Sequence, residues 1–272
     1  MSNLNLQNPI LDINLSNHEL SSIIDSVLKH DDPYPIFELS IDGTLIIYIS
    51  IIKNELYLQL EVDNEDIKRK IGNRQNPIQV SIPRNDLVNI SDMLALETVD
   101  EEYNIYCSDS TLIITGTLTN IRVMANICDT ELSDYNKKRY QITENMLFSK
   151  MHVIYSLNAY KMYKIKKYLT NEYCVFELYP SNSIRIYADE TCKHIQNAHV
   201  LPATMMHWGF PNVNMIRWAI PTKFINKIFH YKLSKQHLCI MSFGVYKSVH
   251  IRYKYDMVTY TYILYNCPTE II

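Results

Sequence analysis

The sequence predicts an α+β chain of two tandem domains, each with two helices packed on antiparallel β-sheets. Three observations predict it: an internal repeat, four short helical patterns, and strand-like alternation between them. The repeat is offset by 139 residues where Phe37-Glu38-Leu39 recurs as Phe176-Glu177-Leu178. Continuing at that offset, the turn Asp42-Gly43 meets Ser181-Asn182, and Leu45-Ile46-Ile47-Tyr48 meets Ile184-Arg185-Ile186-Tyr187. Both read as β-hairpins. Ile82-Pro83 recurs as Ile220-Pro221, each ahead of an apolar helical pattern. At 272 residues the chain has room for two cores of about 130 residues each.

Taken in order, each half opens with a helix after a short strand. Ser16-Asn17-His18-Glu19 is a capping box ahead of Leu20, Ile23, Ile24, Val27 and Leu28, an apolar stripe at helical spacing. In the second half Ser156 is placed to cap a helix running through Leu169, with Met162, Ile165 and Leu169 inward and Tyr160, Lys164, Lys167 and Asn171 outward. Pro83 and Pro221 open the later helices, because a first-turn proline loses no hydrogen bond. Strands are expected over 55–62, 103–107, 111–116, 121–127, 173–178, 238–243, 248–255 and 259–265. The polar stretch around Lys137-Lys138-Arg139 joins the repeats, which puts the domains at 1–128 and 147–272 with a connector at 129–146.

Charge separates the halves. Residues 1–140 hold 11 Lys+Arg against 22 Asp+Glu, a formal −11, and residues 141–272 hold 15 against 7, a formal +8, which together recover the net −3. A basic half joined to an acidic one points to nucleic-acid contact. The lysines are also placed. Lys161, Lys164, Lys166 and Lys167 crowd one helix, and Lys223, Lys227 and His230 follow i, i+4, i+7 on the other, away from Phe224, Ile225 and Ile228. Point charges on a stiff helix give affinity for a phosphate backbone without base reading. The 21 tyrosines offer a second route, as stacking platforms in a single-strand-binding module.

Several chemistries are excluded or disfavoured. The five glycines, Gly43, Gly72, Gly116, Gly209 and Gly244, cannot be written as GxGxxG or GxxxxGK[ST], and no GxSxG is present. His18-Glu19 is followed by Ser22 where a zincin needs histidine. The acidic groups Asp63, Glu65, Asp66 and Asp100, Glu101, Glu102 read as solvated loops, and Cys192, His194, His199 and His207 lack zinc spacing. The six cysteines form no CxxC, as expected of a chain kept in a reducing, intracellular compartment. No apolar run approaches the roughly 18–20 residues that span a bilayer, and no membrane partner is expected. No enzyme activity, cofactor or metal is expected. Abundant Ile, Asn, Tyr and Lys, with scarce Gly and Ala, suggest an AT-rich genome.

The tandem repeats, with Ser40-Ile41-Asp42-Gly43 in the first hairpin, Asn182-Ser183-Ile184-Arg185-Ile186 in the second and the ending Tyr262-Ile263-Leu264-Tyr265-Asn266-Cys267-Pro268, resemble the DNA sliding clamps of the proliferating cell nuclear antigen family. The resemblance spans nearly the whole chain and rests on order more than on any one motif. It implies a processivity factor in which helices face duplex DNA and sheets form the outer wall. It also implies a homo-oligomer, trimeric by preference, with a monomer or dimer as alternatives, that tethers DNA polymerase and other replication proteins through peptide motifs. Lys161, Lys164, Lys166, Lys167, Lys223, Lys227, His230 and Arg84 would then face phosphates. Ile46, Tyr48, Leu132, Tyr265 and Pro268 would line the partner groove. Ring closure would pair an edge near 121–127 with one near 193–200 of a neighbour.

The family's evenly basic channel is not matched, since the first helix offers only His18 and Lys29, and Arg84 lies amid Asp86 and Asp92. Clamp-fold factors that grip DNA as monomers or dimers, in checkpoint or viral late-transcription roles, fit that imbalance. Together with the composition it suggests a large DNA virus as source, and a nuclear or viral replication compartment as location.

Overall fold

The computed structural model describes residues 11–72, 75–96, 101–108, 110–118, 122–129, 151–187, 199–229, 236–244, 248–265 and 267–271. The chain divides into two compact units: Met1–Lys53 with Gln59–Tyr140, and Asn54–Leu58 with Gln141–Ile272.

In the first unit β1 (Leu11–Ser16) leads into α1 (Asn17–Leu28), followed by β2 (Ile36–Leu39), β3 (Leu45–Ile52) and β4 (Leu56–Val62), whose first residues belong to the second unit. Next come α2 (Glu65–Ile71), β5 (Ile78–Ser81), α3 (Arg84–Leu96), β6 (Glu102–Cys107), β7 (Thr111–Gly116) and β8 (Arg122–Asn126). The capping box forms as expected: the Ser16 hydroxyl accepts from the Glu19 N–H, and the Glu19 carboxylate accepts from the Ser16 N–H at 2.8 Å. One sheet has the order β1-β6-β7-β8, and β5-β2-β3-β4 are neighbours in another. Alternation puts Ile13 and Leu15 inward on β1, Tyr103, Ile105 and Cys107 on β6, and Leu112 and Ile114 on β7. Leu20, Ile23, Ile24 and Val27 of α1 and Leu87, Ile90 and Met93 of α3 are likewise buried in this unit's core. Each such side chain contributes about 1.5–3 kcal/mol.

Of the acidic group at 63–66, all three carboxylates are exposed as expected and Asp63 lies in a loop, but the other two are helical. Glu65 and Asp66 form the first turn of α2, where carboxylates meet the positive end of the helix dipole. The Asn64 side chain caps it, accepting from the Asp66 N–H at 2.9 Å. With seven residues and only Ile67 and Ile71 buried, α2 carries too short an apolar stripe to stand out in the sequence. It packs against the first hairpin: a Cβ on Gly43, whose φ is +83°, would lie 2.7 Å from the Lys68 carbonyl. Glu101, by contrast, is not solvated; it is buried and accepts from the Leu118 N–H. Asp100 lies outside the described residues.

The second unit repeats the plan with β9 (Met151–Asn158), α4 (Ala159–Ile165), a 3₁₀ turn (Lys166–Tyr168), β10 (Tyr173–Leu178), β11 (Ser183–Tyr187), β12 (His199–Trp208) and β13 (Ile216–Pro221). Then follow α5 (Thr222–Ile228), β14 (Leu238–Gly244), β15 (Val249–Tyr255), β16 (Val258–Leu264) and β17 (Thr269–Ile271). Its strand order is β17-β13-β10-β11-β12-β9-β14-β15-β16. The duplication holds in register: Ile36 pairs with Tyr48 on β2 and β3, and Val175 with Tyr187 on β10 and β11. The Cys128 N–H donates to the Ser81 carbonyl at 2.9 Å, and at the corresponding place the Ala219 N–H donates to the Pro268 carbonyl at 2.9 Å.

Three expectations for this unit change. Ser156 does not cap α4, because it is paired within β9 to Thr204 on one side and Ile240 on the other. Asn158 is the cap, accepting from the Lys161 N–H at 3.2 Å, and the helix ends at Ile165 rather than Leu169. Pro221 is the cap of α5 rather than a first-turn residue, its ψ of 126° keeping it at the end of β13.

Candidate nucleic-acid interface and partner groove

The two helices of the second unit bury one stripe each. Ala159 and Met162 of α4, and Phe224, Ile225 and Ile228 of α5, are buried. By helical spacing this leaves Lys161, Lys164, Lys223 and Lys227 exposed, with Lys167 exposed on the 3₁₀ turn. The Lys164 ammonium lies 5.1 Å from the Tyr160 ring centroid and that of Lys167 4.7 Å from Tyr168. These tyrosines steady the ammonium groups. Tyr168 is also stacked on His199, with ring centroids 5.7 Å apart. Its ring thus has two neighbours and remains 55% exposed. Among the described residues, Lys161, Lys164 and Lys167 have no carboxylate within ion-pair distance.

Two lysines of the expected phosphate-facing set are engaged elsewhere. Lys166 is half-buried and donates to the Phe229 carbonyl, closing the C-terminal end of α5. Burial pushes its ammonium pKa down. A cation at a helix C-terminus is a stabilising arrangement, so Lys166 joins α4 to α5. Lys223 pairs with Glu55 at 2.9 Å. In the first unit Arg84 is half-buried and donates to the carbonyls of Leu28 (3.1 Å) and His30 (3.2 Å), stapling the end of α1. The exposed positions of α1 and α3 include His18, Asp25, Lys29, Asn85, Asn89 and Asp92, with no net positive charge. His230 lies outside the described residues.

Of the expected groove residues, Tyr265 and Pro268 line one cavity of about 710 Å³ in the second unit. Tyr265 is buried, which raises its phenol pKa, and its ring meets Tyr57 edge-on at 5.6 Å. Phe224, Tyr173 and Leu169 add apolar wall, and Glu55, Glu172 and Lys223 line the same cavity. Those additional residues come from three separate stretches, at 55, 169–173 and 223–224, and no local pattern could have joined the stretches. Ile46 and Tyr48 sit on β3 of the first unit, Ile46 half-buried and the Tyr48 hydroxyl donating to buried Glu38 at 3.3 Å. Leu132 lies outside the described residues.

At the expected closure edges, β8 is the end strand of its sheet. The described part of the second edge is β12, paired with β11 over His199–Pro202 and with β9 from Ala203 onward. Among the described residues no three His, Cys, Asp or Glu gather as a metal site, and no helix is long and apolar enough to cross a membrane. Cys192 and His194 lie outside them.

No protein-family model matches the sequence, and no curated protein sequence matches it. Solved structures do. A. fulgidus PCNA, solved with the C-terminal region of FEN-1, is similar over 96% of this chain and 99% of its own, with a TM-score of 0.65 and 11% identity. Entamoeba histolytica PCNA gives 0.64 at 12% identity over 95% of this chain and 99% of its own. The DNA polymerase III β subunit of Thermotoga maritima gives 0.66 at 12% identity, over 97% of this chain and 67% of its own. At such identities the likeness speaks for the fold alone: the chain has the α+β fold of the DNA sliding clamps.

Proposed function

We propose that the protein is a DNA sliding clamp, a non-catalytic processivity factor that holds duplex DNA and tethers DNA polymerase and other replication proteins. The observation that carries the reading is the row of exposed ammonium groups on α4, the 3₁₀ turn and α5, with Lys161, Lys164, Lys167 and Lys227 as phosphate contacts, in a chain of clamp fold. The domains run 1–128 and 147–272 with a connector at 129–146, and the cavity beside Tyr265 and Pro268 takes partner peptides. A homotrimer closed through β8 and the start of β12 at His199–Val200 hides both edges. The AT-rich composition favours a large DNA virus as source and its replication compartment, or the nucleus, as location.

Solution mass with and without DNA tests this. A closed ring runs near three times 32.0 kDa. It is lost from linear duplex DNA unless the ends are blocked. A monomer that stays on open-ended DNA overturns the ring and favours the second reading, a clamp-fold factor that grips DNA through one face in checkpoint or transcription roles. The confinement of net positive charge to the second half supports that alternative.

A further inference from the structure

We propose that the groove beside Tyr265 and Pro268 selects a peptide by charge, taking an aromatic or aliphatic anchor flanked by a lysine or arginine that pairs with Glu172 and Glu55. This rests on the reading of the cavity as a partner groove. The carboxylates are set at fixed points of its rim by their own backbones. The Thr222 N–H donates to the Glu172 carbonyl at 2.9 Å, and the Tyr265 N–H donates to the Glu55 carbonyl at 3.0 Å. Thr222 and Tyr265 themselves line the cavity, so both acids are tied to its wall.

The charge balance decides the sign. Two carboxylates and one ammonium line the cavity, and the ammonium of Lys223 is already paired with Glu55, which leaves Glu172 with no ion-pair partner among the described residues. An acidic flank would face one engaged lysine and two carboxylates. A basic flank finds Glu172 open and can replace Lys223 on Glu55. That exchange is easy, because the Lys223 and Glu55 side chains are 58% and 45% exposed and such pairs hold weakly. Once the peptide covers the rim, water is excluded and a mismatched charge is penalised more heavily. Lys223 is therefore a groove residue rather than a phosphate contact, and its pair with Glu55 is displaced by the ligand.

The test uses the full chain and two fluorescent synthetic peptides of identical Leu-Ser-Ser-Phe-Phe centre, one with lysine at both ends and one with glutamate. The lysine peptide is expected to bind about fivefold or more tightly at low salt. Glu172→Gln removes most of that preference, and Glu172→Lys reverses it. Both exposed substitutions leave the thermal midpoint unchanged. Equal binding of the two peptides, weakened alike by Tyr265→Ala, leaves the groove standing and overturns the charge selection. Failure of both peptides to bind overturns the groove reading and this inference with it. Tighter binding of the glutamate peptide reverses the assignment to Lys223.

Discussion

Glu38 in the first unit and Glu177 in the second hold the same place in the repeat, buried on a strand that is paired on both sides, and each accepts from a tyrosine on the next strand: Tyr48 at 3.3 Å and Tyr187 at 2.9 Å. The third partner differs. Gln79 on β5 donates to Glu38, whereas the Arg217 guanidinium on β13 donates to Glu177 through Nε and Nη2, both at 3.1 Å. Tyr179 donates to Glu177 as well. A charged, bidentate donor offsets the burial of a carboxylate more fully than an amide does. The helices diverge in the same sense, with exposed lysines on α4 and α5, whereas on α1 and α3 the one arginine, Arg84, is half-buried against backbone carbonyls and the exposed side chains carry no net positive charge. The duplicated frame thus tolerates change of charge at equivalent points, provided each buried acid keeps its donors.

The largest way to break the comparison is at the helices. Replacing Lys161, Lys164, Lys167 and Lys227 with Ala should lower the salt dependence of duplex binding by about 3–4 in log–log slope, since each phosphate contact accounts for roughly 0.9. Binding titrations at several salt concentrations read this directly. The set His18, Lys29 and Arg84, changed to Ala, should leave the slope as it was, and an equal fall in both would put DNA against both units. Next in size, Glu177→Gln should cost about 2–3 kcal/mol in urea unfolding, because the substitution removes the buried carboxylate that Arg217, Tyr179 and Tyr187 all donate to, and the Arg217 guanidinium keeps its pair with the exposed Glu270 at 3.4 Å. Glu38→Gln, which keeps Tyr48 and Gln79 beside an uncharged side chain, should cost about 1 kcal/mol.

Acid sharpens the same contrast. Burial alone would raise the Glu177 pKa, yet hydrogen bonds from Tyr179, Tyr187 and Arg217 and the arginine charge hold it below its ordinary 4.5. The network therefore contributes fully above that value and is lost as the pH falls through the lowered native pKa. Urea midpoints of the wild type should drop more steeply below pH 4.5 than those of Glu177→Gln. Parallel curves would show that Glu177 is not the group responsible. Smallest is Lys166→Met, expected to cost about 1 kcal/mol through the lost cap on α5 while leaving the DNA salt slope unchanged. A fallen slope would return Lys166 to the phosphate-facing set.

Much of the frame was legible in the sequence. Hairpins with Asp42-Gly43 and Ser181-Asn182 at their turns, the capping box at Ser16 and the buried stripe of α1 are local patterns whose period alone names the element. Elements whose signal is weak or shared were less so. The seven-residue α2 was hidden among charged residues, and the start of α4 shifted because sheet pairing on both sides of Ser156 overrode its value as a cap. Sequence by itself determined that the chain is duplicated, where its strands alternate and which half is basic, because periodicity and composition are written residue by residue. Only the tertiary structure decided which lysines remain exposed without an ion pair and that Glu55, Glu172, Lys223, Tyr265 and Pro268 line one cavity. A side chain's partner depends on what folding brings beside it, and those residues come from four separate stretches of the chain.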